Sequence, residues 1–297
     1  MNNSTTDFKS GFISIIGAPN VGKSTLLNKI LGEKISITSD KPQTTRNRIL
    51  GILHRPSAQF VFMDTPGVHK ARNVLNTRIV DVALSAMSGT DMILIVADVT
   101  NPDPASETII VERLKKQNKP VILALNKTDL VLKPLILPMI DLWAAAYPFE
   151  TIVPISAEKG DQIKELLDEM EARLPIGPPY YPEDSITDIP ERDIAAEMVR
   201  EKIFRFTGQE IPYATAVTID SFSEEIKIVK IHATIHVERD SQKGIIIGKG
   251  GTMLKKIGEE ARREIERMVG TKVFLKLFVR VQKNWSKDTK TLIKFGY

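Results

Sequence analysis

Eight consecutive residues, Gly17-Ala18-Pro19-Asn20-Val21-Gly22-Lys23-Ser24, carry the spacing of a phosphate-binding loop, G-x-x-x-x-G-K-[ST]. The chemistry follows from the residue types. Glycines let main-chain N–H groups turn inward around phosphate oxygens. Lys23 is placed to reach β- and γ-phosphates, Ser24 to ligate Mg²⁺, and Thr25 to continue the cradle into the next turn. Such a loop works only between a strand and a helix, whose N-terminus adds partial positive charge. Both flanks are present. Phe12-Ile13-Ser14-Ile15-Ile16 reads as a buried strand, and Leu26, Leu27, Ile30 and Leu31 recur at helical spacing.

Residues 11–174 continue this alternation, with strands expected at 11–17, 48–54, 58–64, 91–98, 120–125 and 151–155. Helices are expected at 23–31, 74–87, 105–117, 135–146 and 161–173. The pattern predicts an α/β fold: a mixed, mostly parallel sheet with helices on both faces. Ligands of such sheets bind outside the carboxyl ends of the strands, and three further motifs stand there. Asp64-Thr65-Pro66-Gly67 ends one strand, with Asp64 placed to hold Mg²⁺ and the Gly67 N–H to meet a γ-phosphate. Asn126-Lys127-Thr128-Asp129 ends another. A carboxylate at Asp129 can accept from N1–H and the 2-amino group of guanine, and adenine offers neither donor. A wrong base would leave it unpaired, at a cost of at least ~1–3 kcal/mol. Ser156-Ala157 ends a third strand and can offer a backbone N–H to guanine O6. Lys41-Pro42-Gln43-Thr44-Thr45-Arg46 supplies a threonine to complete the Mg²⁺ shell. The loops 36–48 and 67–77 are then the expected moving parts.

The stretch Leu174 to Pro182 holds four prolines and a glycine, which neither helix nor strand can continue. The domains are therefore read as a polar tail 1–10, the α/β domain 11–174, a proline-rich linker 175–190 and a second domain 191–297. In the second domain a helix is expected at 191–207, strands at 213–220 and 226–237, helices at 241–247 and 252–269, a strand at 272–282 and a tail helix near 285–294. Gly248-Lys249-Gly250-Gly251 falls between the two central helices. A G-x-x-G turn inside an α-β-β-α-α-β order matches an α+β type II KH fold, which clamps about four nucleotides of single-stranded RNA by their backbone. Ile246, Ile247 and the edge strand would line the base-facing groove, with Gly248 to Gly251 on its other side. Arg262, Arg263, Lys272, Lys276, Arg280 and Lys283 are candidate phosphate contacts. Trp285 is expected to pack the tail down rather than stack on a base. His232 and His236 share a strand face but lack a third metal ligand.

Charge supports that partner. Of 297 residues with net charge +4, residues 241–297 hold 14 Lys and Arg against 5 Asp and Glu, whereas residues 181–240 hold 7 against 13. A basic segment of this kind suits a polyanion. The absence of cysteine excludes disulfides, thiolate metal sites and thiol catalysis. No apolar run is long enough for a transmembrane segment, and the polar start lacks a signal-peptide core. These features predict a cytoplasmic protein.

The ordered set of motifs resembles the Era family of GTPases over almost the whole chain. The resemblance is carried by Gly17 to Asn28, Lys41 to Arg46, Asp64 to Lys70, Asn126 to Asp129, Ser156 to Gly160 and Pro178 to Pro182. It implies GTP and GDP as ligands with Mg²⁺, and slow hydrolysis of GTP to GDP and phosphate. Lys23, Thr45 and Gly67 would act on the γ-phosphate, and Ser24, Thr45 and Asp64 would hold the metal, with Thr44 the alternative to Thr45. Val68 occupies the position where many GTPases carry a water-orienting Gln. Intrinsic turnover on the order of 10⁻⁴–10⁻² s⁻¹ is therefore expected, and Asn20 is the residue through which related GTPases bind K⁺. The resemblance further implies small-subunit ribosomal RNA near its 3′ end as partner, a role in 30S subunit biogenesis, a monomer, and peripheral association with the inner face of the cell membrane. The alternative is a non-hydrolysing RNA-binding module regulated by guanine nucleotide.

Overall fold

The structure, a computed structural model, describes residues 8–39, 41, 45–46, 48–69, 74–208 and 210–295. By internal packing the chain forms two units, one of residues up to 36 with 45–188, the other of 37–44 with 189–297. Among the described residues no helix is long and apolar enough to cross a membrane.

The first unit is built on strands β1 (Lys9–Ile16), β2 (Ile49–Arg55), β3 (Ala58–Asp64), β4 (Met92–Asp98), β5 (Val121–Asn126) and β6 (Thr151–Pro154). Their order in the sheet is β2-β3-β1-β4-β5-β6, with only β2 antiparallel to its neighbour. Between them run helices α1 (Lys23–Leu31), α2 (Val74–Ala86), α3 (Pro104–Leu114), α4 (Ile136–Ala146) and, after β6, α5 (Ile163–Arg173). Every residue of β3, β4 and β5 is buried, which is why these strands read as continuous apolar runs rather than as alternations. Parallel pairing brings the ends of β1, β3, β4, β5 and β6 to one edge of the sheet, and with them each motif that follows a strand.

The proline-rich stretch forms neither helix nor strand, as its composition demands, yet it does not hang free. Ser10 N–H donates to Pro175 O at 3.0 Å and Ser10 Oγ to Pro178 O at 2.6 Å. The Gln59 carboxamide, 0% exposed, accepts from Tyr180 and Tyr181 N–H at 2.6 and 3.1 Å and donates to Tyr181 O at 2.8 Å. Further on, Thr187 Oγ1 donates to Leu50 O at 2.5 Å. A side chain thus supplies the partners that a sheet would otherwise give.

The second unit follows the expected order: α6 (Glu191–Phe206), β7 (Ala216–Glu225), β8 (Ile228–Val237), α7 (Asp240–Ile247), α8 (Thr252–Val269) and β9 (Lys272–Val281). Its sheet runs β7-β8-β9, β7 antiparallel and β9 parallel to β8. The first strand starts later than expected because Pro212–Ala214 forms a 3-10 turn, and it runs on to Glu225 through an extended hairpin. One sheet face, with Val229, Ile231, Ala233, Ile235 and Val273, packs on Val199 and Ile203 of α6 and Ile257, Ala261 and Ile265 of α8. The tail divides into a turn at Trp285–Lys287 and α9 (Thr289–Lys294), because Asp288 caps the latter by accepting from Thr291 N–H at 3.1 Å. Trp285 is 0% exposed and donates from Nε1 to Ala214 O at 3.1 Å, so it packs the tail as expected.

Candidate functional site

The turn from β1 into α1 is held by a glycine that nothing else could replace. Gly22 lies at φ +98°, and a Cβ there would collide with the Asn126 carboxamide. Lys23 follows, 6% exposed, and donates from Nζ to Gly17 O at 3.1 Å and Ala18 O at 2.8 Å. Burial lowers its pKa from 10.5 to about 8, against the opposing pull of Asp64. An ammonium buried among neutral carbonyls gains a great deal from an anion beside it.

Three residues expected to hold metal meet directly. Ser24 Oγ donates to Asp64 Oδ2 at 2.7 Å and lies 3.0 Å from Thr45 Oγ1. Asp64 is 0% exposed and its Oδ1 has no hydrogen-bond partner. Burial raises its pKa, opposed by the charge of Lys23 and by hydrogen bonds from Ser24 and Ser36. One carboxylate and two hydroxyls form a hard, oxygen-only donor set, and a buried oxygen without a partner is a place for a cation. The set suits Mg²⁺, which keeps several of its own waters and needs few protein ligands. Thr44, the alternative to Thr45, lies outside the described residues, as do parts of the loops 36–48 and 67–77.

Sequence reasoning missed Ser36. Its hydroxyl donates to Asp64 Oδ2 at 2.9 Å, and it is 0% exposed. Asn28 holds this approach by accepting from Ile35 and Ser36 N–H at 3.1 and 3.0 Å and donating to Ser36 O at 2.7 Å.

Gly67 passes close beside the phosphate loop, where a Cβ would stand 2.8 Å from the Pro19 main chain. Val68 N–H donates to Gly17 O at 3.0 Å, while the Val68 side chain is 0% exposed within the core. That side chain neither faces the site nor can hydrogen-bond there. Asn20 is exposed at φ +63°.

The base-reading corner is tied together by Asn126. Its Nδ2 donates to Val21 O at 2.7 Å and its Oδ1 accepts from Ala157 N–H at 2.9 Å. Lys127 Nζ pairs with Asp98 Oδ2 at 2.5 Å, and Thr128 Oγ1 donates to Ile155 O at 2.9 Å. Asp98 was not expected from sequence, although its place at the end of β4 is the same edge that carries every other motif. Asp129 is exposed beside this corner. Ser156 N–H donates to Asp161 O at 3.2 Å. Both N–H groups of Ser156-Ala157 are thus engaged within the protein. Their observed work is to fix Asn126 and the turn.

In the second unit the turn Gly248 to Gly251 separates α7 from α8, with Lys249 and Gly250 exposed. Gly248, at φ +73°, leaves no room for a Cβ, which would lie 2.8 Å from that of Met253. The expectation that Ile246 lines a groove is corrected: it is 0% exposed and belongs to the core. In a run of three isoleucines on a helix each is turned about 100° from the last. Here the phase buries Ile246, leaves Ile247 half-buried and turns out Ile245, 49% exposed.

Residues 12–127 match the family described as 50S ribosome-binding GTPase, and residues 210–286 match the KH domain family. The chain is 56% identical to GTPase Era of Geotalea uraniireducens over 98% of both chains, and 56% identical to GTPase Era of Geobacter metallireducens over 99% of both. Among solved structures it is similar to an Era in complex with MgGDPNP and nucleotides 1506–1542 of 16S ribosomal RNA, at 42% identity and TM-score 0.94 over 98% of this chain and 99% of that one. It is equally similar, at 41% identity and TM-score 0.94 over the same shares, to a single-residue variant of Aquifex aeolicus Era bound to GDP.AlF4⁻.

Proposed function

The chain belongs to the Era family of GTPases, and from that premise we propose that it couples GTP hydrolysis at the strand-end cluster to RNA binding at the Gly248–Gly251 turn. The observation that carries this reading is the meeting of Ser24, Thr45 and Asp64 through direct hydrogen bonds.

In this reading Gly17 to Thr25 cradle the phosphates and Lys23 neutralises the β- and γ-oxygens. Ser24, Thr45 and Asp64 hold Mg²⁺, which when bound offsets the charge on the transferring phosphoryl group. The Gly67 N–H meets the γ-phosphate. Asp129 reads guanine, with Asn126, Lys127, Ser156 and Ala157 holding its loop in place. Because Val68 is turned into the core, no side chain at that position orients water. Positioning falls to the backbone and Thr45, with K⁺ at Asn20 as the supplementary charge, and turnover is slow.

Lys249 and the glycines 248, 250 and 251 clamp single-stranded RNA, with Ile247 beside them and Ile246 supporting from beneath. Similarity to the Era crystallised with nucleotides 1506–1542 of 16S ribosomal RNA supports small-subunit ribosomal RNA near its 3′ end as the ligand, and 30S subunit biogenesis as the setting. The protein acts as a cytoplasmic monomer, with membrane contact limited to peripheral association at the inner face.

The test is RNA crosslinking in the GTP and GDP states, mapped to sequence, with wild type and Gly250→Asp. Crosslinks that change between the two nucleotides and vanish in Gly250→Asp are expected. Crosslinks indifferent to both would refute the coupling.

A further inference from the structure

The three-stranded sheet has a second face, turned away from α6 and α8. On it Phe274 and Phe278 of β9 stand 48% and 45% exposed. Strand alternation puts them on one side with Lys276 between them and Lys272 and Arg280 beyond, while Val273, Leu275 and Leu277 point to the core. His232 of β8 is in register with Lys276 and lies between the two phenyl rings, at centroid distances of 6.3 and 6.4 Å, edge to face with each. Lys276 Nζ sits 5.1 Å from the Phe278 centroid. Three aromatic rings therefore form one row, bordered by three cations.

Those cations are not engaged elsewhere. Among the described residues Lys272, Lys276 and Arg280 form no ion pair. The nearby acids are already occupied: Glu225 pairs with Lys230 at 2.7 Å, and Asp220 accepts from Thr234 at 2.6 Å. Nor is the row an accident of a sheet left bare. Its other end is closed by the chain's own tail, where Phe295 lies over His236 at 4.3 Å and beside the buried Trp285 at 5.5 Å. The tail covers His236 and leaves His232, Phe274 and Phe278 uncovered.

We propose that this row is a second single-strand-binding surface, distinct from the clamp, on which RNA bases stack against Phe274, His232 and Phe278 while Lys272, Lys276 and Arg280 meet the phosphates. Aromatic rings interleaved with cations on an open sheet are the chemistry of base stacking with backbone neutralisation. An apolar protein partner would instead have to desolvate three unpaired cations. The position also fits a continuous ligand. β9 is one of the two edge strands, and α7 and α8, which carry the clamp, pack on its inner side. A strand longer than the clamp's four nucleotides can pass round that edge onto the row. This inference rests on the RNA-binding reading above.

The experiment uses the full chain, the 1506–1542 fragment of 16S ribosomal RNA, and four-nucleotide RNAs tiled across it. Both phenylalanines are half exposed, so Phe274→Ala/Phe278→Ala should melt close to wild type. It is expected to bind the long RNA at least about tenfold more weakly, since each stacked base contributes substantially, and to bind the best tile unchanged. Phe274→Tyr/Phe278→Tyr should restore long-RNA binding and Phe274→Leu/Phe278→Leu should not. Long-RNA binding at wild-type strength by the alanine variant would overturn the proposal, and so would rescue by leucine as complete as by tyrosine. If the alanine variant bound RNA normally but failed to join the 30S subunit, the surface would be a protein contact and the proposal wrong. Binding of the tiles by Gly250→Asp reads the clamp separately, so failure of either reading is distinguishable.

Discussion

The Asn126 carboxamide donates to the main-chain oxygen of Val21 at 2.7 Å across 105 residues of sequence. Because its oxygen accepts from Ala157, the orientation of the amide is fixed by both neighbours. One buried side chain therefore joins the phosphate loop, the base-reading loop and the turn after β6.

Replacing Asn126 with Ala removes the donor to Val21 and leaves the buried Ala157 N–H without its acceptor. Each unsatisfied buried group costs about 1–3 kcal/mol. Asn126→Ala should weaken GTP and GDP equally, by tenfold or more, because the lost contacts hold loops common to both. Titration of a fluorescent guanine nucleotide checks this. Unchanged affinity for both would show that the loops hold their places without it.

Lys23 leads to a pH dependence. Its pKa in the nucleotide-free protein is lowered by burial to about 8, and phosphate binding favours the charged form. GDP affinity should therefore hold below pH 8 and fall above it, by up to about tenfold per pH unit. Folding has the opposite sense. The unfolded chain binds the proton more tightly between pH 8 and 10.5, so this lysine opposes folding fully below pH 8 and the penalty fades as pH rises. Lys23→Met should stabilise the nucleotide-free protein at pH 7 by up to ~3 kcal/mol while abolishing tight binding. Chemical denaturation with and without GDP separates the two effects.

His236 gives an acid response. Burial lowers its pKa from 6.5 to about 4, with Arg280 and Lys294 adding to the shift and Asp220 opposing it. The unfolded chain takes up the proton first, so stability is full above pH 6.5 and is lost as pH falls toward 4. The second unit should melt earlier at pH 5 than at pH 7, and His236→Phe should flatten the difference. Equal slopes for wild type and variant would remove His236 as the cause.

Buried Val68 and exposed Asn20 together make a cation prediction. Multiple-turnover phosphate release should be several-fold faster in K⁺ than in Na⁺, and Asn20→Ala should abolish that ratio, whatever its effect on GDP affinity. The same rate in both salts would refute a role for K⁺.

The strand-end motifs were legible because each is a short run of special residues at a strand–helix junction, where sequence and position constrain one another. Lys23, Ser24, Asp64 and Asn126 are accordingly together in space. Ser36 was not legible, since a lone serine between Ile35 and Ile37 carries no local sign that its hydroxyl will reach Asp64. Asp98 was readable only as the end of another strand. Ile246 was misplaced because a three-isoleucine run on an eight-residue helix does not fix its own rotational phase. The proline-rich stretch announced what it could not form. That Gln59 would hold it was invisible, because the partners lie about 120 residues apart.

Ser36 and Thr45 stand at the two ends of one loop. Ser36 hangs on Asp64 itself, and Thr45 on the Ser24 hydroxyl that Asp64 also holds. Both ends of the loop thus depend on one carboxylate, Ser36 directly and Thr45 through Ser24. Whatever draws that carboxylate aside loosens Ser36 and the Ser24–Thr45 pair at the same moment, so the two ends of this loop let go together.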